Sequence, residues 1–357
     1  MGDLLRADLD SLGVLCARAA DYFSDQRGVS VLPLVIEKDF WATEILRALS
    51  TPQQLPAPNK SAHPVAVRPV FKGGTSLSKA YQIIERFSED IDIFLAIEPT
   101  PDSPTADFLK AGVQAPFTIG AARIDTIMKA TAAAVGDVIG VVGEPIGNAR
   151  SGTKRGYAYR YPRPDHAGPT EGFAEGVLLE LVRMGTPTPN AQHQIRSMLS
   201  DFVAMQGVAA LSDFEELTPF TIDVLAPERT LVDKLCILHD VATRVLNDEP
   251  DQLRRQTRHY YDVHQLLSNA ALLQSFRARP GLVADYATVA AEESRVARRP
   301  TTPRPAGGFA TSAAFINADI LSIAAVEYEQ DMSRLRLGQI PTLDDVVALV
   351  ATHADLL

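Results

Sequence analysis

Residues 71–95, FKGGTSLSKAYQIIERFSEDIDIFL, constrain the fold more than any other stretch of this chain. The apolar pair Val70-Phe71 enters a Gly73-Gly74 turn, and Thr75-Ser76 follow, able to cap a helix carrying Leu77, Ala80, Tyr81 and Ile84. From Ser88 to Leu95 the pattern alternates, with Ile91, Ile93 and Leu95 on one face of a strand and Asp90 and Asp92 on the other. First-turn N–H groups are unpaired and carry the positive end of the helix dipole, so a polyphosphate can be received there, and glycine lets it come close. Carboxylates at i and i+2 of a strand point the same way, roughly 7 Å apart at the backbone, which suits a shared divalent cation. Singly, a Gly-Gly pair is usually a plain turn and Asp-x-Asp usually the wet face of a sheet. In this order and proximity they fit phosphoryl-transfer geometry, because adjacent like charges are kept most readily where a cation is present.

At 357 residues, 46% of them apolar and 22% charged, the chain can bury a substantial core and is expected to form two domains. Cys16 and Cys236, both in helical apolar stretches, argue against a disulfide framework or a zinc site. The first residues carry Asp3, Asp8 and Asp10 instead of an apolar signal core, and no apolar run approaches a membrane span. The expected setting is the cytoplasm, without a membrane partner.

Residues 3–24 and 33–50 read as helices, 51–66 as a loop and 116–136 as a third helix; 98–104 is a proline-rich break. Residues 156–162 and 176–183 read as strands, and so does FTIDVL at 220–225. Glu180 sits inside the apolar run VLLELV, where an unpaired carboxylate is costly; it faces water, pairs with a base such as Arg183, or meets a metal. From Pro227 onward the periodicity is almost wholly helical apart from the loop at 299–308. The expected division is a mixed sheet with flanking helices over 1–226 and a helical domain over 227–357, an α+β protein. On the first helix of the second domain Leu231, Leu235, Leu238 and Ala242 form an apolar stripe with Lys234 at its margin, whereas Asp262 lies off the stripe of Tyr260, Val263 and Leu267. Periodicity alone makes Lys234 a snorkelling lysine and Asp262 a solvated acid.

The wording Gly73-Gly74-Thr75-Ser76, a spacer, then Asp90-Ile91-Asp92 resembles the signature of the DNA polymerase β-like nucleotidyltransferase superfamily. With Lys72, residues 76–79 and Phe87-Ser88-Glu89 included, it is similar to the AbiEii toxins of type IV toxin–antitoxin systems and their mycobacterial MenT relatives. Glu37-Lys38-Asp39-Phe40-Trp41, PERTLVDKL at 227–235, RHYYD at 258–262, YEQDM at 328–332, Gly338 and PTLDD at 341–345 carry the same resemblance over most of residues 33–357. Lys38 and Asp39 themselves read as structural, in the manner of a surface pair.

The resemblance implies a nucleotidyltransferase-type fold and a toxin that transfers nucleotides from a nucleoside triphosphate with one or two Mg²⁺ ions. Asp90, Asp92 and Glu180 would be the metal ligands, with Asp90, Asp92, Lys234 and Asp262 catalytic. Gly73, Gly74, Thr75, Ser76, Lys79 and Lys234 would face the nucleotide in a cleft between domains. A cognate antitoxin is expected, and a tRNA 3′ end is the expected acceptor. The formal charge of −10 opposes nucleic-acid binding, so local basic ground is needed. Arg150, Lys154, Arg155, Arg160 and Arg163 are one candidate, Arg254, Arg255 and Arg258 a second, and Arg295, Arg298 and Arg299 a third. A nucleotidyltransferase for small molecules such as antibiotics, and a non-catalytic nucleotide- or partner-binding protein, are the competing classes; intact Asp90 and Asp92 argue against the latter.

Overall fold

The computed structural model describes residues 4–51, 53–55, 65–98, 117–147, 154–163, 172–183, 187–208, 211–246, 250–296 and 302–357. All of the proline-rich break expected at 98–104 except Glu98, which ends a strand, most of the loop expected at 51–66, and Arg150, Arg298 and Arg299 lie outside them. The chain forms two compact units: residues Met1–Ala80 with Glu89–Val224, and Tyr81–Ser88 with Leu225–Leu357.

The first unit is built on one mixed sheet. Its strands are β1 (Gln53–Leu55), β2 (Val65–Lys72), β3 (Asp90–Glu98), β4 (Gly143–Ile146), β5 (Lys154–Tyr159), β6 (Val177–Val182), β7 (Asn190–Ile195) and β8 (Phe220–Leu225). The order is β4-β5-β6-β3-β2-β8-β7, with β1 paired to β2 off this path. β3 runs antiparallel to β2 and parallel to β6, and β2 runs parallel to β8. Ile91, Ile93, Phe94 and Leu95 are all buried, so beyond Asp92 both faces of β3 are covered.

Helix α1 (Leu9–Arg27) begins where Asp8 accepts from the Ser11 amide and stops at Gly28, whose φ of 63° ends the helix in the left-handed region. Helix α2 (Pro33–Ser50) has proline in its first turn and buries Leu34, Ile36, Phe40, Trp41, Ile45 and Leu46 in the core. The short α3 (Gly73–Lys79) follows β2 directly, and the 23-residue α4 (Phe117–Ile139) packs on α2. α3 begins two residues before the expected Thr75-Ser76 cap, with Lys72 in the cap position and no side-chain cap. It is also shorter than expected. Gln82 adopts φ 53°, and Tyr81 and Ile84 belong to the second unit instead of extending the helix. A further helix, α5 (Met198–Gln206), is capped by Ser197 and ended by Gly207 at φ 60°.

The second unit contains α6 (Pro227–Val245), α7 (Pro250–Arg254), α8 (Arg258–Ser268), α9 (Ala270–Ala278), α10 (Leu282–Val296), α11 (Ala313–Ile316), α12 (Ala318–Leu335) and α13 (Leu343–Thr352). The α6 stripe of Leu231, Leu235, Leu238 and Ala242 is fully buried, and α8 packs against both α6 and α13. Residues 81–88 cross this unit as an extended strap. The Leu337 amide donates to Glu85 O at 2.8 Å, the Phe87 amide donates to Leu335 O at 2.7 Å, and Tyr81 donates its hydroxyl to Leu225 O at 3.0 Å. Among the described residues no helix is long and apolar enough to cross a membrane.

Candidate active site

In the first unit the parallel pairing of β3 with β6 sets Asp92 directly opposite Glu180 and Asp90 opposite Leu178. Asp90, Asp92 and Glu180 are all half-buried. Glu180 holds its proton more tightly than an ordinary glutamate: burial is the main cause, the neighbouring Asp92 charge adds to it, and the two carboxyls share a hydrogen bond. Lys154 on β5 opposes this, with its ammonium 2.5 Å from Glu180 Oε2. The partner anticipated for Glu180, Arg183, lies elsewhere. It follows the last residue of β6, and its guanidinium stands 6.0 Å from the Phe94 ring centre instead of meeting Glu180.

The glycine turn abuts these acids. Gly73 has φ 79°, and a Cβ there would fall 2.2 Å from Asp92 Oδ2, so only glycine lets the turn and the carboxylate come together. Thr75 donates its hydroxyl to the Asp90 carbonyl, tying α3 to β3. Ser76 is fully buried and donates to Gly73 O at 2.8 Å. Lys79 turns to α2, with its ammonium 2.5 Å from Asp39 Oδ1 and 2.8 Å from Thr43 Oγ1. Backbone groups of the turn are thus the part nearest the acids, while Ser76 and Lys79 spend their polar atoms on holding α3.

A divalent cation is the usual companion of such acids, and the residues present fit one. The donors are carboxylate oxygens, as hard cations require, and Asp92 and Glu180 stand directly opposite one another on paired strands. Among the described residues no group of three or more His, Cys, Asp or Glu side chains is placed to hold a metal ion by protein ligands alone.

The second unit holds a different constellation. Asp262 is 0% exposed and not a solvated acid: it receives Arg86 through Nε and the second terminal nitrogen, both at 2.7 Å, and Lys234 at 2.6 Å. Lys234 does not snorkel either, being 4% exposed. Helical periodicity misplaced both residues because Arg86, the strap residue that solvates Asp262, is remote in sequence. Its only signal was a lone arginine beside the acid strand, in Glu85-Arg86-Phe87. Burial pushes the Asp262 carboxyl up, but Arg86 and Lys234 outweigh it and hold the group well below the usual carboxylate range. Burial lowers the Lys234 ammonium, and Asp262 opposes that.

His259 completes the cluster, its Nδ1 3.3 Å from Lys234 Nζ and 3.6 Å from Asp262. Because lysine can only donate, this Nδ1 accepts and the imidazole is neutral. Burial first, and the Lys234 charge second, lower its pKa to about 3. A histidine neutral when folded and protonated when unfolded contributes stability that is present above about pH 6.5 and drains away as pH falls toward 3. In that window linkage gives a slope of about 1.4 kcal/mol per pH unit for one proton. Urea midpoints of the wild type should therefore fall between pH 6.5 and 4 more steeply than those of His259→Gln; parallel profiles would contradict the assignment.

The basic clusters are mostly neutralised where they stand. Lys154 is bound to Glu180, Arg155 to Asp125, Arg160 to Glu144 and Arg163 to Glu37. Arg295 is paired with Glu292 at 2.6 Å. Arg254 is looser, 3.6 Å from Glu327, and Arg255 is exposed. The first cluster therefore offers little uncommitted positive charge.

Residues 60–349 match the family model described as Nucleotidyl transferase AbiEii toxin, Type IV TA system. The chain belongs to the AbiEii family. Membership makes it a nucleotidyltransferase toxin of a type IV toxin–antitoxin system, implies a cognate antitoxin, and accords with the α+β architecture. The matched stretch contains Asp90, Asp92, Glu180, Lys234 and Asp262, and so also the AbiEii-like wording of the strap that carries Arg86. No curated protein matches the chain.

Proposed function

We propose that this AbiEii-family protein is a cytoplasmic, Mg²⁺-dependent toxin that transfers nucleotides from a nucleoside triphosphate to the 3′ end of tRNA, blocking aminoacylation and growth until its antitoxin intervenes. The observation that carries this reading is the register of Asp92 against Glu180, with Asp90 on the same strand face and the Gly73 turn pressed on Asp92. Bound there, a divalent cation would neutralise the phosphates and acidify the acceptor hydroxyl. In the transfer, the acceptor oxygen forms a bond to the α-phosphorus, the α–β phosphoanhydride bond breaks, and pyrophosphate leaves with that electron pair; the hydroxyl proton passes to a carboxylate of the acid group or to water. Asp90 and Asp92 orient the reacting groups. Backbone amides at Gly73, Gly74 and Thr75 receive phosphate oxygens, while Ser76 and Lys79 fix the turn that presents them. Lys234 is assigned to triphosphate charge: it and Arg86 are two cations that meet the same Asp262 carboxylate, a concentration of positive charge that suits a phosphate.

For the acceptor, Arg254, Arg255 and Arg258 are the remaining basic ground. Incubating the protein with Mg²⁺, each labelled ribonucleoside triphosphate in turn and total cellular RNA should label the tRNA band, with label falling as salt rises. Reversing the charge of Arg254, Arg255 and Arg258 should reduce labelling several-fold without altering nucleotide affinity. The ion pairing of residues 154–163 and the net charge of −10 favour the alternative of a small acceptor. Label in a small molecule and in no RNA would establish that alternative.

A further inference from the structure

Glu37, Lys38 and Asp39, consecutive on α2 and outside the family-matched stretch, are 7%, 2% and 7% exposed. Charged residues are buried to this degree only when paired, and Lys38 and Asp39 do not form the surface pair that the sequence suggested. Glu37 takes Arg163 at 2.7 Å, and Asp39 takes Lys79 at 2.5 Å and the Met198 amide at 2.7 Å. Lys38 donates to the Gly176 carbonyl at 2.7 Å and to Glu89 Oε1 at 3.4 Å.

The places of those two partners give Lys38 its interest. Glu89 immediately precedes Asp90, where β3 begins, and Gly176 immediately precedes Val177, where β6 begins. These are the parallel neighbours whose register sets Asp92 against Glu180. Glu89 also accepts from the Ala174 amide at 2.9 Å, so the bridge includes the segment leading into β6. Gly176 has no freedom to retreat: at φ 74° its Cα lies so close to β5 that a Cβ would fall 2.2 Å from Tyr159 O. One buried ammonium therefore joins the starts of both acid-bearing strands. Asp92 and Glu180 repel one another when both are ionised, so their separation must be imposed from outside.

We propose that Lys38 is a positioning residue of the acid site, which fixes the separation of the Asp92 and Glu180 carboxylates by clamping the starts of β3 and β6, and thereby sets the affinity for a divalent cation. The inference rests on the reading of Asp90, Asp92 and Glu180 as a cation site. It makes a prediction of unusual sign. Removing a positive charge near acids should, by electrostatics alone, tighten cation binding; loss of the clamp should weaken it, by about 10- to 100-fold if Lys38 supports the ligands as outer partners of metal sites do.

The test is direct titration of the full-length protein with Mn²⁺, free ion being read by electron paramagnetic resonance without nucleotide, alongside thermal melting. Lys38→Met should weaken Mn²⁺ binding by that factor and Lys38→Arg should recover most of it. Glu44→Gln is the control for a merely structural effect: Glu44 is equally buried on α2, but its partners Arg6 and Arg47 touch neither strand start. It should lower the melting temperature and leave Mn²⁺ affinity unchanged. If Lys38→Met fails to fold, Lys38→Gln, which keeps a donor for Gly176, should show a smaller loss in the same direction. Unchanged or tighter binding in a folded Lys38 variant would overturn the proposal. No binding to the wild type would instead remove the cation-site reading itself, and the proposal with it.

Discussion

Asp92→Asn is expected to abolish nucleotide transfer, by about a thousandfold or more, without lowering the melting temperature. The asparagine amide matches the carboxylate in size, so the Gly73 approach and the β3–β6 register are kept. What is lost is one negative donor at a site where charge stabilisation is worth several kcal/mol, and about 4 kcal/mol corresponds to roughly three powers of ten in rate. Stability should hold or rise, because Asp92 is among the groups that push the Glu180 carboxyl up, and the variant relieves that repulsion. Asp90→Asn should behave alike in activity. A steady-state assay with parallel melting curves checks both; near-normal turnover in either variant with unchanged melting would remove the carboxylates from the chemistry.

The buried cluster of the second unit should respond in the opposite way, through stability. Asp262→Asn removes the carboxylate that buried Arg86 and Lys234 share, and breaking a buried ion pair by removing one partner costs about 3–5 kcal/mol. Lys234→Met is milder, since Arg86 still meets both Asp262 oxygens and keeps the carboxylate paired. Its larger effect should be on nucleotide use, as a raised KM for the triphosphate. Chemical denaturation and steady-state kinetics on the two variants separate the roles. Equal stability losses would contradict the retained Arg86–Asp262 pairing, and loss of stability with normal kinetics in Lys234→Met would make that lysine purely structural.

The parts of this molecule that were legible in the sequence are those governed by local pattern. Alternation placed Asp90 and Asp92 on one strand face, and an apolar stripe on α6 identified Leu231, Leu235, Leu238 and Ala242 as core. Tyr81 and Ile84 continued the helical spacing of α3, yet they belong to a strap whose partners, Leu335 and Leu337, are remote in sequence. Asp262 looked solvated because an α-helical wheel carries no information about an arginine arriving from another segment. Glu180 was suspected from its apolar flanks, but its neighbours Asp92 and Lys154 depend on strand order, whereas Arg183, close in sequence, lies past the end of β6 beside Phe94. β7, NAQHQI, lacks the apolar alternation that marks a strand, because it lies at the end of the sheet with little of its surface covered. Lys38 and Asp39 were misjudged for the same reason as Asp262: charge predicts exposure until a partner is found.

Nucleotidyl transfer at the paired acids is tested most directly by measuring pyrophosphate released from each nucleoside triphosphate, with Mg²⁺ and total RNA present, by the wild type and by Asp92→Asn. The expected result is pyrophosphate release by the wild type in step with label incorporated into RNA, dependent on Mg²⁺, and no release above background by the variant. Equal release by both proteins, or none by a folded wild type with any triphosphate, would contradict it.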